Sequence, residues 1–354
     1  MEAIPPQPTP EPAPDPAVAE AVGLPPVLDY AAVKRSRARL WVRLAVAAVV
    51  LAVLVVAGRR YYGELDRLKS APAWVIVAMA ALYVVARFPP AELLRAALAS
   101  LGHRVGRVET FFVLMVQYYV NMLIPRAGIG APAGYMKIRH GVPISDLGAA
   151  QVVTLTLAQF VCLGVAALIC QAALAVTGAA RWDPILAAVF AGVALFNAVP
   201  LFVPLPGAGV APNSAAPGGV MVRFLGRLSY ACRRLGRDRA LLARAFAGHA
   251  IVLLLRTARV QLSFRAVGVQ VGFWQAFIAS AAADVMFLVS ITPGALGFRE
   301  GGMVYAARVL GTTGDLALAA ALLDRMILTG CNLVLGQIGI WRYIGRAGVR
   351  PVAA

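Results

Sequence analysis

Eight apolar segments fill most of the chain between residues 40 and 343, and they limit its fold more than any other feature. Their lengths run from 16 to 34 residues, and a transmembrane helix needs about 20 apolar residues. Hydrophobic residues make up 60% of the chain and charged residues 14%. A soluble domain has too little interior to bury this much apolar surface. We therefore predict an all-α, polytopic integral membrane helix bundle, which excludes a soluble enzyme, a disulfide scaffold and a disordered chain.

Two of the eight segments do not suit a simple crossing. The third has only 16 residues without a charge and ends at Pro125. The seventh contains Asp284, which we expect to interrupt it, and is followed by Pro293. We predict that these two are re-entrant Pro/Gly-broken hairpins and that the other six are full spans. The segments are 40–58, 71–88, 110–125, 147–180, 184–205, 245–264, 266–292 and 316–343.

The basic residues indicate the orientation of the bundle. The formal net charge is +17, with 33 basic residues, and such residues collect in cytoplasmic loops. We therefore expect no nucleic-acid partner. With both hairpins re-entrant, 20 basic residues are cytoplasmic, 7 lie outside and 6 lie at membrane depth. This distribution predicts a multi-pass protein of the bacterial inner (plasma) membrane, with both termini cytoplasmic.

The polar regions complete the predicted domain organisation. Residues 1–33 hold nine prolines and no Lys or Arg, a composition typical of a disordered cytoplasmic tail rather than a signal peptide. A transmembrane domain is predicted at 34–346, with a basic cytoplasmic loop at 206–244 and a short tail at 347–354. Within that loop, 221–244 carries seven arginines. It is predicted either to lie as a helix along the membrane surface or to be a solvated loop. The scattered cysteines and histidines lack metal-ligand spacing, so we expect no metal and no cofactor.

The two broken segments also match each other in sequence. Pro125 and Pro293 lie 168 residues apart, and Gly128 and Gly297 lie 169 apart. Two interpretations are open: an inverted repeat of about 73–176 and 242–345, or chance similarity between alanine-rich stretches. Gly/Pro-interrupted segments at matching positions of two halves indicate a substrate site at the membrane midplane. Further pairs at the 169-residue offset are Arg87 with Arg256, Asp146 with Asp315, and Ala150 with Ala319.

Candidate binding residues cluster at the two breaks. Arg299 and Glu300 lie in a glycine-rich interruption, and charges at membrane depth must line a cavity or be paired. Adjacent helix residues do not face each other, so we expect separate partners rather than a local pair. Free N–H groups at a half-helix start favour an anion such as phosphate. The candidate substrate-binding residues are Arg299, Glu300, Arg126, Asn121, Gln117, Asp324, Arg325, Arg256 and Asp284, and the candidate hairpin apices are Pro125, Gly128, Pro293, Gly294 and Gly297.

Several of these residues have a structural interpretation as well. Gln117 and Asn121 share one helix face, and they could hydrogen-bond a head group or join neighbouring helices. Arg256 and Arg259 also share a face, and Asp284 is a plausible partner for either. Structural pairing among these charges and contact with a substrate both stay open.

The motifs at the breaks resemble those of the flippase-like, lysylphosphatidylglycerol synthase transmembrane-region family over about residues 40–345. The resemblance implies an integral membrane domain with re-entrant helices that moves or handles lipids with polar heads. Aminoacyl-lipid members carry a soluble transferase domain after this region; we expect none here, so lipid aminoacylation is not implied. The residues that carry the resemblance are Asn121, Pro125, Arg126 and Gly128 in the first break, Pro293, Gly294, Gly297, Arg299, Glu300, Gly301 and Gly302 in the second, and Asp324 and Arg325 beyond it.

The first half departs from the family pattern. The family often has an acidic residue just after the first glycine, where Ile129, Gly130 and Ala131 stand here. It often has an acidic–Arg pair on the next helix, where Leu155 and Thr156 stand. We therefore expect the second half to carry most of the site.

The predicted function is a membrane lipid translocase, transporter-like rather than enzymatic. It would move a phosphate-bearing head group between leaflets through a midplane site at the two broken helices. Arg299 and Arg126 would hold the phosphate, while Glu300 and Asp324 would bind an amine or coupling proton, or hold the arginines. The expected partners are membrane lipids of anionic or prenyl-phosphate type and a lipid-biosynthesis enzyme. The alternatives are an intramembrane enzyme, with Glu300 as acid/base, and a non-catalytic membrane partner of lipid or envelope biosynthesis.

Overall fold

The chain is a bundle of membrane-spanning and shorter helices, as predicted. The computed structural model describes residues 72–123, 128, 130–202, 220–289, 295 and 297–344, and these contain helices and turns but no strand. The predicted first segment and the proline-rich tail lie outside the described residues. In chain order the helices are α1 (Ala73–Val85), α2 (Phe88–Ser100), α3 (Arg107–Leu123), α4 (Gly130–His140), α5 (Ile144–Val176), α6 (Pro184–Phe202), α7 (Val220–Arg237), α8 (Arg239–Ala266), α9 (Phe273–Val289), α10 (Phe298–Val309) and α11 (Gly314–Gly339).

Four stretches are long and apolar enough to cross a membrane. They match the predicted second, fourth, sixth and eighth segments, and the fifth corresponds to the shorter apolar helix at Pro184–Val199. The chain is therefore a multi-pass membrane protein. The four stretches are Ala73–Ser100, Ile144–Val176, Arg239–Ala266 and Gly314–Tyr343.

The third predicted segment corresponds to α3 and the seventh to α9, and a shorter helix follows each of them, α4 and α10. The first break lies between α3 and α4, and the second lies between α9 and α10. Asp284 is inside α9, which continues to Val289, so the expectation that Asp284 interrupts this segment is wrong. Arginines from other helices neutralise its charge, and a paired carboxylate is tolerated within a buried helix.

The helix boundaries repeat with the offset found in the sequence. Each copy runs in the order span, helix, break, helix, span, and the shifted bounds of α4 and α5 match those of α10 and of the stretch Gly314–Tyr343 within a residue or two. Chance similarity between apolar stretches would not reproduce this order of elements, so the structure favours a repeat. Shifted by 169 residues, Ala73–Ser100 becomes 242–269, α3 becomes 276–292, α4 becomes 299–309 and α5 becomes 313–345.

A π-helical stretch, Gln151–Leu157, lies within α5 and changes its hydrogen bonding. π-Helical geometry shifts the backbone pattern and is frequent near functional sites. Here the carbonyl of Thr154 accepts a hydrogen bond from the buried ring of His249, at 2.5 Å. This contact joins the centre of α5 to α8.

Glycines let several helix pairs approach closely. A side-chain carbon at Gly302 of α10 would lie 2.8 Å from the carbonyl oxygen of Ala282 in α9. A carbon at Gly164 of α5 would lie 2.6 Å from the carbonyl oxygen of Phe190 in α6. Small residues at helix interfaces allow this packing in membrane proteins, where dispersion contacts replace the hydrophobic drive.

We expect Gly302→Ala to destabilise the pair α9–α10, because the new methyl group would meet a backbone carbonyl that cannot rotate away. Overpacking of this kind costs about 1–3 kcal/mol. The adjacent Gly301 has nothing within 4 Å of the same added atom, so Gly301→Ala is the matched control. It should leave stability unchanged or raise it by up to about 1 kcal/mol through helix propensity. Equal melting temperatures for the two variants in detergent would contradict the close approach.

Candidate functional site

A cavity of about 140 Å³ lies where the two broken segments approach the centres of the long helices. Asn121 and Met122 from the last turn of α3 contribute to its wall, as does Arg299 from the first turn of α10. The rest of the wall comes from residues near the centres of Ala73–Ser100, α5, α8 and α11. The last turn of α3 and the first turn of α10 therefore lie level with the middle of the long helices. Five arginines line the cavity: Arg87, Arg256, Arg259, Arg299 and Arg325.

Asp324 of α11 holds two of these arginines. It is only 2% exposed, and Arg259 Nη2 and Arg299 Nη2 each donate to its Oδ2 at 3.2 Å. Arg259 Nε lies 2.8 Å from Oδ1 as an ionic contact, because its N–H does not point at that oxygen. One buried carboxylate thus joins α8, α10 and α11.

Asp284 of α9 provides a second carboxylate. It accepts a hydrogen bond from Arg256 Nη1, and its Oδ1 lies 3.9 Å from Arg299 Nη2. Arg299 is therefore placed between Asp284 and Asp324, and each of these acids also binds an arginine of α8.

Glu300 closes the second break and holds a further arginine. Its Oε2 accepts a hydrogen bond from the N–H of Gly297 at 2.8 Å, and its Oε1 lies 3.6 Å from Arg325 Nη1. Gly297 has φ +83°, a left-handed conformation that favours glycine. Arg299 and Glu300 thus have separate partners, as their adjacency in the sequence predicts.

Arg87, at the junction of α1 and α2, was not among the candidate site residues. Its guanidinium carbon lies 4.3 Å from the ring centroids of both Tyr83 and Tyr118. It is 7% exposed, its Nε has no hydrogen-bond partner, and no described carboxylate forms an ion pair with it. The one sequence signal was its 169-residue offset from Arg256, which lines the same cavity.

Polar residues of the first broken segment mainly hold the structure together. Gln117 exchanges two hydrogen bonds with Gln151 of α5, at 2.8 and 3.1 Å, which is the helix-joining role. Asn121 Oδ1 accepts from the N–H of Gly128 at 2.7 Å and so shapes the break. Four other candidate residues lie outside the described residues: Pro125, Arg126, Pro293 and Gly294.

A separate cluster ties α3 to α4 at the end away from the break. The carboxylate of Glu109 accepts hydrogen bonds from Tyr135 and His140 and lies 3.2 Å from Arg139 Nε. Burial opposes ionisation of Glu109, but hydrogen bonds from Tyr135 and His140 outweigh it and hold its pKa below the usual value. Burial and the bond to this carboxylate raise the pKa of Tyr135. The base of the first broken segment is therefore held by charge-assisted hydrogen bonds.

The arginine-rich segment forms the helix α7, with two distinct faces. Ala231 and Leu235 are buried, and Leu228 packs against α5 near Gly148. Arg227, Arg234 and Arg237 are exposed on another face. Because the apolar face is used within the protein, the arginine face is the one free to meet an anionic surface. Its position along the membrane stays a prediction.

Comparison with known proteins identifies the family. No curated protein shows a significant match to the chain. A family model described as "Lysylphosphatidylglycerol synthase TM region" matches residues 40–336, which include both breaks and all five cavity arginines. This match confirms the resemblance inferred from the motifs and makes the chain a lipid-related membrane protein. The chain belongs to the lysylphosphatidylglycerol synthase transmembrane-region family.

Proposed function

We propose that the chain is a lipid translocase that moves a phosphate-bearing head group between leaflets through the arginine-lined cavity. One observation carries this proposal: five arginines surround a cavity level with the centres of the spanning helices. Ionisable groups at membrane depth are costly and mark substrate pathways. Arginine binds phosphate through two parallel hydrogen bonds, so this lining suits a phosphate head group while the lipid tails stay in the bilayer.

The arrangement of Arg299 supports exchange of partners during transport. Asp284 and Asp324 each bind another arginine besides Arg299. An incoming phosphate can therefore draw Arg299 away without leaving either carboxylate unpaired. Glu300 is occupied with Gly297 and Arg325, so we assign it to the shape of the break rather than to acid/base chemistry.

The re-entrant topology is part of this proposal. Its support is that α3 ends, and α10 begins, at the cavity beside the centres of the long helices. With both hairpins re-entrant, each copy of the repeat contains two crossings. The single crossing of α6 between the copies then starts the second copy from the opposite side, which makes the repeat inverted. Transporters with inverted repeats expose one midplane site to the two sides in turn.

We expect Lys137→Cys and Arg181→Cys to label from opposite sides of the membrane. Both native residues are exposed, and the positive-inside rule predicts Lys137 on the cytoplasmic side of the membrane and Arg181 on the opposite side. An impermeant thiol reagent on intact spheroplasts should modify the cysteine at 181 and spare the one at 137 until the cells are lysed. The reagent should be tested in a background without the four native cysteines. Labelling of both in intact spheroplasts would exclude a first hairpin entering from the cytoplasm.

One turnover assay separates the proposed function from its alternatives. Full-length protein in proteoliposomes receives a fluorescent phosphate-bearing lipid in one leaflet, and the lipid is then recovered for mass analysis. A translocase moves the lipid without changing its mass, and an intramembrane enzyme changes the mass. The third candidate, a docking partner for a lipid-biosynthesis enzyme, would neither move the lipid nor change its mass. The observation behind this candidate is the exposed arginine face of α7.

A further inference from the structure

Building on the proposed translocase function, we infer that the cavity selects a head group with two negative charges. The ligand class is a lipid phosphomonoester or diphosphate, preferred over a singly charged phosphodiester and over lipids whose head carries an amine. Arg87 supplies the binding charge that the protein itself leaves unneutralised. The inference rests on the charges around the cavity, on the surroundings of Arg87, and on the occupied state of every described acid nearby.

The described charges at the cavity do not balance. Five arginines line it, and three carboxylates contact them, which leaves an excess of two positive charges. Uncompensated charge at membrane depth is costly, and a doubly charged anion would neutralise the described excess. The three carboxylates are those of Asp284, Asp324 and Glu300.

Arg87 is positioned to be the free member of this set. The rings of Tyr83 and Tyr118 hold its guanidinium at 4.3 Å each, and cation–π contacts are strongest where water is excluded. Tyr83 is itself fixed, because its hydroxyl donates to Asn332. The Nε of Arg87 has no hydrogen-bond partner although the residue is 93% buried (7% exposed) and lines the cavity. Because Arg87 lines the cavity and forms no ion pair with a described carboxylate, its positive charge is available to an anionic oxygen in the cavity.

The described carboxylates at the cavity are already paired and do not bind an amine. Asp284 and Asp324 each contact two arginines, and Glu300 binds Arg325 and a backbone N–H. An ammonium group would therefore meet an excess of positive charge without an unpaired carboxylate. Of the two roles predicted for Glu300 and Asp324, the geometry supports holding the arginines rather than binding an amine.

The cavity volume suits a compact head group. Its 140 Å³ is roughly ten times the 10–15 Å³ that a cavity needs to hold one water molecule. A phosphate group with its four oxygens therefore fits, and the charges rather than the volume point to a doubly charged head.

Matched lipids test this selectivity apart from transport. Phosphatidic acid and phosphatidylglycerol with identical acyl chains are titrated onto the full-length protein in detergent, at pH 8.5 and at pH 5. The second proton of a phosphomonoester binds near pH 6, so only phosphatidic acid loses a charge between these conditions. Any change in the protonation of the acids and tyrosines around the cavity affects the binding of both lipids. Phosphatidylglycerol, whose own charge does not change, is therefore the control for it. We expect phosphatidic acid to bind about tenfold more tightly at pH 8.5, and the ratio to fall to about threefold or less at pH 5.

Variants assign the preference to Arg87. Arg87→Gln should bring the two lipids to about equal affinity, whereas Arg87→Lys keeps the charge and should retain part of the preference. Arg265→Gln removes one positive charge from the exposed end of α8 and should leave the preference unchanged. Because Arg87 has no carboxylate to strand, Arg87→Gln should stay folded in lipid-free detergent, with a melting temperature lowered only by the loss of its two cation–π contacts.

The outcomes distinguish this inference from the proposed function. Equal binding of the two lipids by the native protein at both pH values would overturn the selectivity, even if translocation were observed. An unchanged preference in a folded Arg87→Gln variant would overturn the role of Arg87. A clear preference for phosphatidic acid without translocation would support the site and overturn the transport function.

Discussion

Arg299→Ala is expected to reduce lipid translocation about 30-fold or more while the protein stays folded, since truncating a buried, hydrogen-bonded charge costs about 2–5 kcal/mol in binding. The structure explains why stability should survive this change. Asp284 keeps Arg256 and Asp324 keeps Arg259, so no carboxylate is left alone. Transport rate per folded molecule in proteoliposomes, with thermal unfolding measured on the same preparation, tests both statements.

Two further variants sharpen this test. Arg299→Lys should restore only part of the rate, because an ammonium cannot bind phosphate through two parallel hydrogen bonds. Arg308→Ala removes an exposed arginine from the same helix, α10, and should transport at the native rate. A folded Arg299→Ala protein that transports normally would remove Arg299 from the site.

Asp324→Asn is expected to destabilise the bundle by about 3–5 kcal/mol, the cost of leaving buried charge without its partner. Asp324 is 2% exposed and is the counter-charge for both Arg259 and Arg299. Arg259→Met should also destabilise, because Arg259 makes two contacts with Asp324, at 2.8 and 3.2 Å, and the single hydrogen bond from Arg299 replaces neither of them. The double variant with both Arg259→Met and Asp324→Asn should lose less stability than the two single variants lose together, because Arg299 still has Asp284 nearby.

The free energies of unfolding in detergent of the native protein, the two single variants and the double variant form a double-mutant cycle that tests this prediction. Asp315→Asn removes an exposed acid from the start of the same helix, α11, and should cost less than about 1 kcal/mol. Additive effects of Arg259→Met and Asp324→Asn would show that the two residues do not form an energetic unit.

The spans could be predicted from the sequence because lipid imposes length and hydropathy on each of them. Two of the four long stretches start and end within four residues of the predicted segments, whereas Ala73–Ser100 continues 12 residues beyond the predicted end at 88 and Arg239–Ala266 starts six residues before the predicted start at 245. The breaks were visible because glycine and proline are the residues that interrupt helices at membrane depth. The 169-residue offset then related the two halves before any contact was known.

Most pairings inside the bundle could not be predicted in this way, because they join helices distant in sequence. The pairing of Asp284 with Arg256 was among the predicted alternatives and is confirmed, but the same carboxylate was also expected to interrupt its segment, and the helix continues. Gln117 was a candidate for a head group, but it meets Gln151 through the π-helical part of α5. The residues next to Arg87 in the sequence did not indicate its role, because its partners are the rings of Tyr83 and Tyr118 and only Tyr83 is close to it in the chain.

Native mass spectrometry of the full-length protein, released from its own membrane in mild detergent, tests the central claim most directly. The claim is that the arginine-lined cavity binds a phosphate-bearing lipid. We predict one retained lipid with a phosphate in its head group, seen on the native protein and on Arg308→Ala and lost from folded Arg299→Ala. Retention of the same lipid by Arg299→Ala, or a retained lipid that has no phosphate, would contradict it.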